Sequence, residues 1–213
     1  MEIQIAEPLY HQVYKELRKL ILSGKILPGE KVNASQLAKQ YNISRTPLRE
    51  AIQQLISEGL IIQFQGSLKV VELNKQDFVE LYQCRRTLEK EVMRIVVQII
   101  SEEELNEIQS VLTQSEVALE ENNTFKVLGL FTQFHDLLIR PCTNKRLLQL
   151  LDQIHSFLLI YRANITKNPV YNYEIHKEHL ELFEALKSKD IANVNEVIEK
   201  HINNDLIRGL DRL

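Results

Sequence analysis

Three histidines stand where the helical period calls for apolar residues, and they are the first chemistry this chain offers. Leu128, Phe131 and Leu138 frame His135; Ile175, Leu182 and Leu186 frame His179; Val194, Val197 and Ile198 lead to His201. An imidazole turned into a core needs a partner, and three that converge can hold a divalent metal through neutral nitrogens. Taken singly, each also reads as a hydrogen-bonded core or interface residue. Arg85 falls in the same way on the stripe Phe78, Leu81, Leu88, Val92 and Ile95, either as a cation for a ligand, or as a snorkelling arginine or an internal ion pair with Glu89 or another acidic residue. His155 and Arg162, seven residues apart on one helix, could add to the wall of the same cavity. His176 lies one turn from His179 and is expected to face elsewhere, and His11 is expected at the surface.

A second chemistry lies in residues 33–59, NASQLAKQYNISRTPLREAIQQLISEG. Leu37, Ala38 and Tyr41 recur at helical spacing, and Asn42 then tolerates the left-handed backbone of a sharp turn. Ser44 is placed to cap a second helix, with Pro47 still inside its first turn. Along that helix Leu48, Ile52 and Leu55 form one apolar stripe, while Arg45, Thr46, Arg49 and Gln53 fall away from it. A helix N-terminus with hydroxyls suits phosphate, and arginine pairs bidentately with guanine, so the free face suits DNA. The competing reading leaves Arg45 and Arg49 as solvated charges paired with Glu50 or a neighbour.

These residues need elements to position them. Residues 8–23 repeat Leu9, Val13, Leu17 and Leu20 between Pro8 and Gly24, which predicts a helix before the pair. LIIQFQGSLKVVEL after Gly59 reads as two short strands around a tip at Gln65, Gly66 and Ser67. Three helices and a hairpin make a winged helix-turn-helix. From Asn74 the pattern becomes wholly helical: Asn74 and Asp77 cap a helix to about Ile100, and Ser101 with Glu104 forms a capping box for the next, to about Glu121. Further helices are expected at about 124–139, 144–165, 170–187 and, capped by Asp190, to about Gly209. The fold class is therefore mainly α. An N-terminal winged helix-turn-helix occupies residues 1–73, and an all-α antiparallel six-helix bundle occupies 74–213.

Composition narrows the function classes. In 213 residues the net charge is −3, but residues 1–74 carry nine Lys/Arg against seven Asp/Glu, leaving seventeen against twenty-two for the remainder. The sign asymmetry puts a nucleic-acid partner on the N-terminal side. No run of 18 apolar residues occurs, and MEIQIAEPLY lacks the basic and apolar regions of a secretory signal, so a cytoplasmic protein without a membrane partner is expected. Cys84 and Cys142 form no CxxC and are expected as reduced core thiols.

The strings G-x-I-L-P-G-E-x-V and L-A-x-x-Y-N-I-S-R-T-P-L-R-E-A-I-x-x-L-x-x-E-G-L-I resemble the DNA-binding domain of the GntR family of bacterial transcriptional regulators. The resemblance implies DNA contacts from Ser44, Arg45, Thr46 and Arg49 and, at the wing, from Gly66; Ser35 stands where the family often has a DNA-contacting arginine. Residues 77–208 resemble the FCD ligand-binding domain (FadR/VanR-like), through R-x-x-L-E at 85–89, Phe134-His135, E-H-x-x-x-x-x-A-L at 178–186 and His201. The six-helix count suits the smaller, VanR-like branch. That resemblance implies a divalent metal, zinc first, on His135, His179 and His201, with Phe131 in place of the family's Asp or Asn. It also implies a small carboxylate effector near Arg85, His155 and Arg162.

The function expected is a ligand-responsive regulator, a homodimer on a palindromic double-stranded operator, repressing until an organic acid releases it. Two alternatives stand beside it. In one, the helical domain only dimerises and its core contains no polar cavity. In the other, the three histidines form a hydrolytic zinc site, but no HExxH-like glutamate supplies a general base.

Overall fold

Val13, Leu17 and Ile21 form the buried seam of α1 (Leu9–Leu22). The seam runs i, i+4, i+8, so Leu20, predicted on it, is half-buried at its edge and Leu9 is exposed. The computed structural model describes residues 7–166 and 168–212, without the side chains of Ala163 and Asn164. Helix α2 (Ala34–Gln40) begins where the Asn33 side chain accepts from Gln36 N. Asn42 at φ 51 then turns the chain into α3 (Arg45–Ser57). Leu48, Ala51, Ile52 and Leu55 bury one face of α3 against α1 and α2.

Strands β1 (Ile61–Phe64) and β2 (Ser67–Val70) pair antiparallel with Phe64 opposite Ser67, so Gln65 and Gly66 alone make the turn. Both have positive φ, 48 and 74, the geometry of a two-residue hairpin whose twist matches its strands, and a glycine meets that demand without Cβ strain. Backbone bonds from Val32 N to Leu68 O and from Val70 N to Glu30 O lay residues 30–32 along β2 and brace the wing.

The chain divides into two compact units, Met1–Leu73 and Asn74–Leu213. Among the described residues six helices build the second: α4 (Lys75–Ile99), α5 (Glu102–Glu120), α6 (Thr124–Ile139), α7 (Lys145–Ile165), α8 (Pro169–Ser188) and α9 (Ile191–Leu210). Their starts follow side-chain caps, with reciprocal boxes Asn74/Asp77 and Ser101/Glu104 and single caps from Asn123, Asn144, Asn168 and Asp190. Helix α4 packs along α9 and α7, α5 along α6 and α8, and α8 along α9. No described helix is long and apolar enough to cross a membrane.

Two expectations change. The buried face of α4 is Phe78, Tyr82, Arg85, Glu89, Val92, Met93, Val96 and Val97, while Leu81, Leu88 and Ile95 are half-buried at its edge. The face is rotated because Arg85 and Glu89 neutralise one another inside it, which lets two charged positions occupy the core. Cys84 is correspondingly exposed; Cys142 is buried, and both thiols are free.

Candidate functional site

The first surface lies at the start of α3. Ser44 holds the N-cap position in extended backbone but makes no side-chain capping bond, which leaves its hydroxyl and the first-turn N–H groups for a ligand. Ser35, Arg45, Thr46 and Arg49 line one open groove of about 370 Å³, together with Leu68 of β2. Ser44 and Gly66 are exposed outside its lining, and a Cβ built on Gly66 would have nothing within 4 Å. Among the described residues neither Arg45 nor Arg49 has an ion-pair partner, so the pairing with Glu50 offered as an alternative is not formed.

The second site is in the helical unit. α6, α8 and α9 bring His135, His179 and His201 into a near-equilateral triangle, with ring centroids 5.0, 5.1 and 5.2 Å apart. One ligand nitrogen of each lies within 4.8 Å of the others. Around zinc, with Zn–N near 2.0–2.1 Å, donors sit roughly 3.3 Å apart, so the rings would close by on the order of 1 Å. His179 is wholly buried and neither of its nitrogens has a hydrogen-bond partner; Nε2 of His201 has none either. Burial, reinforced by nearby arginines and the other imidazoles, drives His135 and His179 well below the usual histidine range. They are therefore neutral at physiological pH, the form that ligates metal. Phe131, edge-on to His179 with centroids 4.8 Å apart, offers no ligand atom. His176 is also buried but lies outside the triangle.

Around the triangle runs an ion-pair network of which the sequence had shown only the Arg85–Glu89 part. Arg85 Nε donates to Glu89 Oε1 at 2.7 Å and Nη1 to Asp205 Oδ2 at 2.9 Å. Arg208 donates to both Glu178 oxygens at 2.8 and 2.7 Å and to Asp205 Oδ1 at 2.9 Å. Glu178 Oε2 lies 2.8 Å from His201 Nδ1, a carboxylate–histidine pairing that orients a metal-binding ring. Burial alone would raise these acids, but the bonds and charges of Arg208 and His201 hold Glu178 down to about 2, and those of His201 and Arg85 hold Asp205 well below its ordinary value. Asp205 and Arg208 lie four and seven residues after His201, on the same helical face, and that spacing was their sequence signal.

The three residues proposed for an effector separate. Arg85 is fully buried and ion-paired through Nε and Nη1 with Glu89 and Asp205, while its Nη2 has no partner. His155 sits 2.7 Å from Glu89 Oε1. Arg162 alone of the three lines a cavity with His135, His179 and Asp205, and its Nη2 has no partner. That cavity measures about 20 Å³, room for one ion or water and not for an organic acid without enlargement.

A winged helix-turn-helix with a free recognition face, joined in one chain to a helical unit with a buried polar site, defines a DNA-binding regulator with a sensor domain. The chain belongs to the gntR family of bacterial regulatory proteins, whose model matches residues 9–70, and carries an FCD domain over residues 80–204. It is 30% identical over 200 residues to the uncharacterized HTH-type transcriptional regulator YdhC of Bacillus subtilis, covering 93% of this chain and 89% of that one. It is 24% identical to the HTH-type transcriptional repressor GlaR of Escherichia coli, over 89% of this chain and 90% of the relative. The fold matches the Escherichia coli structure of McbR/YncC with TM-score 0.86 at 21% identity, covering 97% and 99% of the two chains.

Proposed function

We propose that this regulator is a cytoplasmic homodimeric repressor, with residues 1–73 binding a palindromic operator and residues 74–213 dimerising and sensing a small carboxylate. Arg45 and Arg49 read base edges, Thr46, Ser44 and Ser35 hold the phosphate backbone, and Gly66 lets the wing tip approach the minor groove. His135, His179 and His201 hold a divalent ion, zinc best suited to the neutral nitrogens. A bound ion supplies positive charge and open coordination positions for a carboxylate, and Arg162 supplies the second anchor. The repressing sign is supported by the name of the GlaR relative.

One observation carries the sensing role: a buried polar cavity where His179 and Arg162 both keep unpartnered nitrogens. A domain that only dimerises has no reason to keep them, because each uncompensated buried donor or acceptor costs about 1–3 kcal/mol. The charges agree. Arg85, Arg162 and Arg208 face Glu89, Glu178 and Asp205, three against three, so a divalent ion would leave the site with two positive charges to attract an anion. A hydrolytic reading finds no base, since Glu178 is held by Arg208, Asn204 and His201.

The test is thermal melting of chelator-stripped protein with zinc, then with a carboxylic-acid panel, alongside anisotropy on an operator selected from random duplexes. Zinc should raise Tm in the parent and leave His179→Ala unmoved, and one acid should lower operator affinity at least tenfold. No zinc shift and no active acid would leave dimerisation as the domain's role.

A further inference from the structure

We propose that Ala34 and Leu68 form an apolar seat for the 5-methyl group of a thymine, so that each operator half-site carries a T·A pair beside the guanine that Arg45 or Arg49 reads. The inference rests on the base-reading role proposed above for those arginines. The groove between the helix pair and the wing holds two chemistries. Arg45, Thr46 and Arg49 are exposed along it and offer hydrogen-bonding groups, whereas Ala34, the first residue of α2, and Leu68 of β2 stand half-buried in the same groove and offer only carbon. Leu48 and Ile52, both buried, complete that apolar lining. The seat is open because the start of α2 is short: neither Ala34 nor Ser35 has a side chain long enough to fill a groove of about 370 Å³.

The major groove of DNA presents hydrogen-bonding atoms on every base edge and one apolar group, the 5-methyl of thymine. Carbon in a protein groove matches that group and no other. Cytosine in the same place would turn its N4 amino group towards Leu68 and Ala34, and a purine would turn N7 towards them; either leaves a dehydrated polar atom without a partner. Spacing brings methyl and guanine together. Arg45 and Arg49 are four residues apart, about 6 Å along the helix, and base pairs stack about 3.4 Å apart, so the two forks span about two steps. Apolar residues in the same groove therefore face a base pair within about two steps of the guanine. Leu68 is held in place from both edges of β2: its carbonyl accepts from Val32 N at 2.9 Å, and Gln63 of β1 pairs opposite it.

Uracil pairs as thymine does and lacks only the methyl. On an operator selected from random duplexes, the thymines of the two half-sites are replaced by uracil in symmetric pairs, and binding of the parent, Leu68→Ala and Ala34→Ser is followed by fluorescence anisotropy. One such replacement should weaken the parent roughly fifteenfold, about fourfold for each methyl lost, while uracil outside the half-sites changes nothing. The same replacement should cost either variant no more than about threefold, because part of the seat is already gone. Thermal melting shows whether each variant is folded, and Ala34→Ser, at the first position of a helix, keeps the test intact if Leu68→Ala unfolds the wing. Selected half-sites without a thymine near the guanine, or uracil tolerated at every position, overturn the seat alone when Arg45→Ala still weakens binding. A uracil effect as large in the folded variants as in the parent places the methyl against another residue and also overturns it. Operator affinity unchanged in both Arg45→Ala and Arg49→Ala overturns the base-reading role on which the proposal rests.

Discussion

Replacing Arg45 and Arg49 by alanine is the most direct trial of the recognition surface. Both side chains are exposed, lie one helical turn apart, line one groove with Ser35 and Thr46, and have no ion-pair partner among the described residues. Nothing inside the protein is given up when either engages DNA, and nothing in the core is lost when either is truncated. Leu48, Ala51, Ile52 and Leu55 carry the packing of α3. Folding stability should therefore change by no more than about 0.5 kcal/mol. Each bidentate base contact is worth about 1–3 kcal/mol, and a dimer loses it in both half-sites, so each single variant should lose about 2–6 kcal/mol on a selected operator. At 1.4 kcal/mol per decade that is roughly thirtyfold to 10⁴-fold in Kd. Fluorescence anisotropy at fixed salt, on the operator and on a scrambled duplex, separates base reading from charge. The loss should be large on the operator and small on the scrambled sequence, and lysine should fail to restore it because it lacks the planar fork. Equal losses on both duplexes would reduce these arginines to phosphate contacts, and unchanged operator affinity would remove them from the interface.

Two further outcomes concern the helical unit. Glu178 ionises near 4.5 when unfolded and at about 2 when folded, so its stabilising effect is complete above 4.5 and is lost as pH falls towards 2. That difference is worth about 3 kcal/mol at most, and about 2 once water in the open groove lined by Glu178, Lys177 and Asn204 is allowed for. Urea midpoints of chelator-treated protein between those limits should fall less steeply in Glu178→Gln; parallel slopes would contradict the assignment. Gly209→Ala would press a methyl into the buried Phe78 ring, which Tyr82 and Tyr161 flank with centroids 4.8 and 5.8 Å away. Overpacking of about 1–3 kcal/mol should outweigh the helix-propensity gain of roughly 1, lowering Tm by a few degrees in calorimetry. An equal or higher Tm would show that the ring yields.

What could be read from the sequence follows the range over which each feature is decided. Asn74 with Asp77 and Ser101 with Glu104 satisfy one another across three residues, so their helices start where the local pattern sets them. The hairpin tip was equally local, although Ser67 belongs to β2 and the turn contains only Gln65 and Gly66. The three histidines were visible because an imidazole among leucines and phenylalanines breaks a regular stripe. Asp205 and Arg208 broke theirs too, at four and seven residues past His201, yet an acid and a base near a helix end ordinarily mean solvent. Only their partners make them interior groups, and those partners are remote: Arg85 lies 120 residues from Asp205, and Glu178 lies 30 from Arg208. Long-range pairing with Asp205 also holds Arg85 in the core, while Arg162 lines the cavity. Charge partners separated in sequence thus determine which polar residues face the cavity, while hydrophobic period determines only which helices surround it.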